Sequence, residues 1–186
     1  MKKISAVFLA LVFYSAAFAA FAGQAGEVRV IPYPEGLDTM SEGASSAPYL
    51  INHDFSIYFD TLTDYFELGP SQNRVIISNY PTYQQTRENT CGPAAALTVL
   101  YSFGVKNYDE MSLAAEMKTQ PYPIGTNPAD MLAFFEKIGW KTQSSFNREP
   151  FENYSDFQDF IITNLSEKIP VMVENVEWGG HWRVII

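Results

Sequence analysis

Regular spacing of apolar residues becomes readable from about residue 74 onward. The run Ala94-Ala95-Ala96-Leu97-Thr98-Val99-Leu100 is apolar almost throughout. It predicts a buried helix over residues 93–103, opened by Pro93, whose missing N–H is not needed in a first turn, and closed by Gly104. Residues 108–118 predict a second helix with Asp109 as N-cap, followed by a loop through Pro121, Pro123, Gly125 and Pro128. Met131, Leu132, Phe135 and Ile138 share one face of a third helix, residues 129–138, stopped by Gly139. A fourth, residues 156–165, turns Phe157, Phe160, Ile161 and Leu165 inward. Residues 74–78, 140–146, 170–176 and 182–186 predict strands, the last two joined by the turn Glu177-Trp178-Gly179-Gly180. Helices followed by a sheet define an α+β order.

The first half is harder to read. Lys2-Lys3, an apolar stretch over residues 4–22 and small residues at Ala17-Phe18-Ala19 or Ala20-Phe21-Ala22 predict a secretory signal peptide, residues 1–22, and a periplasmic or extracellular location. An uncleaved anchor is the alternative, because the stretch is close to the roughly 20 residues that span a bilayer. Residues 23–82 form an N-terminal extension: a short strand at 28–31, a turn-rich part to 47, and aromatics alternating with acids over 55–68. The extension is read as packing its aromatics on the main domain, with a propeptide as the sharper alternative.

Removing the signal leaves about 164 residues, enough for one domain with its own core. It also leaves 10 basic and 21 acidic residues, a net charge of −11, which argues against nucleic acid or an anionic lipid surface as partner. The partner left in view is a peptide or protein substrate, with no stable membrane association after cleavage. A single cysteine cannot form an internal disulfide, and an unpaired thiol in an exported protein is a liability unless it is used.

That cysteine, Cys91, directly precedes Gly92-Pro93 and the buried helix. A helix N-terminus offers unpaired N–H groups and the positive end of the macrodipole, so a thiol there is expected to ionise more easily. Thiol chemistry also needs a base, and the chain has two histidines. His53 lies in the poorly patterned extension, whereas His181 stands at the mouth of a strand after two glycines and is the better candidate. Acyl transfer further needs donors to the developing oxyanion, worth about 3 to 4 kcal/mol each. The backbone N–H of Cys91 is one, and Gln84 and Gln85 each offer a side-chain amide. No metal-ligand spacing and no glycine-rich phosphate loop occurs, so no cofactor is expected.

The segment from Gln85 to Gly104, with Gln six positions before Cys, then Gly-Pro-Ala-Ala, resembles the papain-like cysteine peptidases of the C39 family and its C39-like relatives. Gly125-Thr126-Asn127-Pro128-Ala129-Asp130-Met131-Leu132 with Phe135-Glu136-Lys137-Ile138-Gly139-Trp140 is similar to a second family block, and Ile169-Pro170-Val171-Met172-Val173 with Gly180-His181-Trp182 to its histidine strand pair. The resemblance covers residues 83–186. It implies a papain-like α+β fold, with the nucleophile on a helix N-terminus packed on an antiparallel sheet that carries the histidine. It implies Cys91 as nucleophile, His181 as general base and acid, and Gln85 as oxyanion donor, in an extracytoplasmic cysteine peptidase or amide hydrolase.

The family's aspartate or asparagine that orients the imidazole, after the histidine, has no counterpart before Ile186, and Thr90 stands where many relatives carry an acid or Asn. The domain is therefore expected to be truncated and its sheet incomplete at the C-terminal side. An acyl transferase using the same pair, and an inactive peptide-binding domain, are the other readings.

Overall fold

The computed structural model describes residues 6–11, 28–39, 66–121, 123–146, 151–175 and 180–186. Along the chain these form β1 (Ala6–Leu11), α1 (Cys91–Ser102), α2 (Glu110–Glu116), α3 (Pro128–Lys137), β2 (Thr142–Ser144), α4 (Tyr154–Ser166), β3 (Val171–Asn175) and β4 (His181–Ile185). The strands make one antiparallel sheet in the order β2-β1-β3-β4. The fold is α+β, as the helix and strand periods predict.

The helices follow from local chemistry. Gly92 through Leu100 are all buried, so α1 is apolar on every side and runs through the centre of the molecule. It ends in a left-handed Gly104 (φ +80°) with Gly104 N–H donating to the Tyr101 carbonyl and Val105 N–H to that of Leu100, which closes the last turn. Gly139 (φ +86°) ends α3 in the same way, with Trp140 N–H donating to the Phe135 carbonyl. Asp109 caps α2 reciprocally with Ser112, and Asn127 and Asn153 cap α3 and α4. The core joins Leu100 of α1, Leu113 of α2, Phe135 of α3, Met172 of β3 and Trp182 of β4, each contributing about 1.5 to 3 kcal/mol by burial. α4 is peripheral: Leu165 and Asn164 are buried, but Phe157, Phe160 and Ile161 are only partly covered, with Phe151 stacking on the first two.

Three differences from the sequence pattern have local causes. Residues 74–78 are not a strand: Ser71 and Arg74 exchange backbone hydrogen bonds in a tight turn, Val75 is exposed, and Asn79 takes a positive φ of 56°. Among the described residues, 28–31 make a single parallel bridge, Val30 with Thr82. α1 starts at Cys91, two residues earlier than its apolar run predicts.

Part of the apolar N-terminal stretch forms β1, which pairs Val7 with Glu174 and Leu9 with both Met172 and Ser144. An unbroken run of apolar residues suits a strand flanked on both sides as well as an export signal, so sequence pattern alone does not separate them. Residues 12–27, with both candidate cleavage points, lie outside the described residues, as do His53, Trp178 and the aromatic stretch at 55–65.

The described parts of the extension lie against the chain that leads to the cysteine. Ile31 N–H donates to the Thr82 carbonyl and Thr82 N–H to that of Arg29, both at 2.9 Å. Ile31 enters the core, and Tyr33 packs edge-on to Tyr83 at 5.1 Å while its hydroxyl donates to the Gln84 carbonyl. Among the described residues no helix is long and apolar enough to cross a membrane.

Candidate active site

Cys91, Gln85 and His181 line one cavity of about 250 Å³. They are 96 positions apart at the extremes, and three separate packing decisions bring them together. α1 carries Cys91 as its first residue, the turn at residues 86–89 folds Gln85 back beside it, and β4 lays His181 across the helix start. A larger surface groove of about 760 Å³ between α2 and α3 contains none of the three.

The contact between α1 and β4 has a definite structure. The backbone N–H of Trp182, the residue after His181, reaches the Cys91 thiol. The Trp182 indole is buried in the core and donates from Nε1 to the Thr126 carbonyl at 3.0 Å, which identifies it as a packing residue. Thr126 is itself buried, bonded through Oγ1 to Thr119 Oγ1 at 2.8 Å, and seated directly on Gly92. A Cβ at position 92 would lie 2.6 Å from Thr126 Cβ, so the glycine lets the 119–126 loop close over the helix start. The start of α1, the 119–126 loop and β4 are thus tied at one point, and this explains why the Gly125-Thr126-Asn127-Pro128 block belongs with the other two. Thr126 carries no catalytic signal in the sequence; only its place in that block singles it out.

Electrostatically, the surroundings disfavour charge on both Cys91 and His181. Burial pushes the Cys91 thiol above its ordinary value, the backbone N–H groups of Trp182, Gly92 and Cys91 itself act to lower it, and the Glu174 carboxylate raises it further. The expectation that a helix N-terminus eases ionisation here is corrected: desolvation outweighs the donors. His181 is pushed down, first by burial and then by the Arg183 guanidinium. Both influences favour the uncharged imidazole, the form that can accept a proton. Arg183→Met is expected to raise the His181 pKa, since removing a neighbouring cation makes protonation easier. An NMR pH titration of the two imidazoles in the chain reads this directly, and a downward shift would contradict it.

Gln85 sits at the cavity wall with its amide engaged. Nε2 donates to the Arg87 carbonyl at 2.7 Å and reaches the Glu88 carbonyl at 3.3 Å. The short bond orients the group, and the long one is the weaker of the two. The β3–β4 register sets Asn175 directly opposite His181. No group of three or more His, Cys, Asp or Glu that could hold a metal ion occurs among the described residues.

No curated protein and no solved structure matches the chain. A family model does, over residues 77–186, beginning six positions before the stretch whose residues carry the resemblance and taking in all three cavity residues. By that match, the chain belongs to the peptidase C39-like family.

Proposed function

We propose that this protein is a papain-like cysteine peptidase or amide hydrolase working through a Cys91–His181 acyl-enzyme. The observation that carries the reading is the meeting of Cys91, His181 and Gln85 around one cavity in a chain of the C39-like family. In the forward half-reaction, Cys91 Sγ attacks the scissile carbonyl while its proton passes to His181. The C–N bond then breaks, and the amine leaves with that proton. Water next attacks the thioester, giving a proton to His181, and the new carboxylate departs as the thiol re-forms. The backbone N–H of Cys91 and the Gln85 amide stabilise the oxyanion, the amide turning from Glu88 to the substrate oxygen.

A peptide or protein fits this site better than a charged polymer. The chain is acidic overall, and the cavity is walled by both apolar side chains and the polar groups of Tyr83, Thr98 and Arg183. Export by residues 1–22 is part of the proposal and predicts a mature N-terminus within residues 20–23. Cleavage there removes β1 and leaves the backbone of β3 as a sheet edge open to another extended segment.

The reaction is tested with a mixed peptide pool digested in H₂¹⁸O. A hydrolase leaves one ¹⁸O in each new C-terminal carboxylate. Products capped by an added amine and free of the label would instead assign an acyl transferase, and recovery of unaltered peptides bound to the protein would assign a binding domain.

A further inference from the structure

Glutamate is seldom fully buried, yet Glu110 lies fully buried in the core, and the mechanism above does not use it. Its carboxylate is saturated. Oε1 accepts from Thr86 N–H at 2.7 Å and from the Thr90 hydroxyl, while Oε2 accepts from the Thr86 hydroxyl and the Tyr83 hydroxyl, both at 2.8 Å. Four donors fill the acceptor sites of a carboxylate, which is what makes such burial tolerable. All four come from one short stretch of chain, residues 83–90. That stretch contains Gln85 and ends at the residue directly before Cys91.

We propose that Glu110 is a positioning residue: from α2 its carboxylate fixes the course of residues 83–90 and so sets Gln85 and Cys91 relative to each other. The role rests on the reading of Cys91 as nucleophile. Asn89 Nδ2 also ties the stretch to the body of the protein, donating to the Gln120 carbonyl at 2.9 Å, at a single point. Arg87 N–H donates to Thr90 Oγ1 and the Gln85 amide to the Arg87 carbonyl, and both bonds are internal to the turn. They shape it without fixing it to the body of the protein. Tyr33 adds one bond, to the Gln84 carbonyl, on the outer side. Glu110 grips the turn before Gln85, just after it and at its end. Its helix is itself fixed, because Asp109 caps it reciprocally with Ser112 and Leu113 is buried in the core.

The geometry explains why a short residue chemistry is demanded at Thr86 and Thr90. Each has a hydroxyl close enough to the backbone to bring the turn onto the carboxylate, and both are buried. It also predicts how replacements rank. In Glu110→Gln the carbonyl oxygen still accepts from Thr86 N–H and Thr90, and the amide nitrogen meets two hydroxyls that can rotate to accept. In Glu110→Leu all four donors lose their partner. A displacement of about 1 Å between reacting groups costs on the order of a hundredfold in rate.

The test uses p-nitrophenyl acetate, whose attack by the thiol releases p-nitrophenolate in a burst and leaves an acetyl group on Cys91. The burst rate is measured on the full chain well below each protein's melting midpoint, together with that midpoint and KM. Expected are a burst within about threefold of the original for Glu110→Gln, a loss of tenfold or more for Glu110→Leu at little changed KM, and an intermediate loss for Thr90→Val. A role in stability alone would lower the midpoint and leave the burst rate of the folded molecules unchanged, and that result overturns the proposal. If Glu110→Leu does not fold, Thr90→Val and Tyr83→Phe decide, since each removes one donor, and unchanged bursts in both overturn it equally. Absence of a burst in the unaltered protein, or its persistence in Cys91→Ala, would count against the nucleophile assignment instead of against Glu110.

Discussion

Cys91→Ala is expected to abolish cleavage in the peptide pool, by about 10⁴-fold or more, with little effect on folding. The thiol is half-buried and adds no hydrogen bond that α1 needs, and alanine continues the run of small residues at the helix start. The melting midpoint should therefore move by no more than about 2 to 4 °C, the shift that 1 kcal/mol produces in a chain of this size. His181→Ala is expected to lose at least about 10²-fold, the usual contribution of a positioned general base. Because nucleophile and base act as one unit, the double variant should lose no more than Cys91→Ala alone. Additive losses would mean that the two residues serve separate steps.

The second large effect is steric. Gly92→Ala places a methyl group 2.6 Å from Thr126 Cβ and Oγ1 and 3.2 Å from Met131 Cε. Met131 can adjust, being an unbranched side chain. Thr126 cannot retreat easily, since its hydroxyl is bonded to Thr119 and its carbonyl to the Trp182 indole. The expected cost is about 1 to 3 kcal/mol of stability, the usual range for overpacking a well-packed interior. The same push separates α1 from the loop that Trp182 holds, so Cys91 and His181 should drift apart and activity should fall further than stability does. Denaturant unfolding measures the first effect. Thr126→Gly in the same chain should recover part of it, whereas strictly additive costs would show that the two positions do not oppose each other.

Helix chemistry made most of the fold readable. Pro93 falls in the first turn of α1 and Gly104 stops it, and Asp109 and Gly139 mark the start of α2 and the end of α3, because caps and left-handed stops are set by local residues. Cys91 and His181 were legible as a pair for a different reason: the chain has one cysteine and two histidines, and a block pattern chooses between them. What the pattern could not give depends on distant partners. Residues 74–78 have a strand's composition, but they leave the tight turn at Ser71 and Arg74 and pair with no strand among the described residues. An apolar stretch at the N-terminus serves as β1 only because β2 and β3 lie ready on either side of it.

The state of the thiol depends on the tertiary fold in the same way. Helix position is visible in the sequence, while the burial that outweighs it is set by the tertiary fold. Glu110 was invisible as a functional residue. Acids in the first turn of a helix are common, and only the three-dimensional turn at residues 83–90 shows what this one holds.

The pH dependence of Cys91 alkylation by iodoacetamide, in the unaltered protein and in His181→Ala, tests the central claim most directly. Since His181 is held below its ordinary pKa and Cys91 above, the unaltered protein should gain reactivity as His181 loses its proton below about pH 6.5, level off through neutrality, and rise again only as the thiol itself ionises. His181→Ala should lack the lower step and keep the upper one. Superimposable profiles in the two proteins would mean that His181 does not act on the thiol, and the Cys91–His181 mechanism would be wrong.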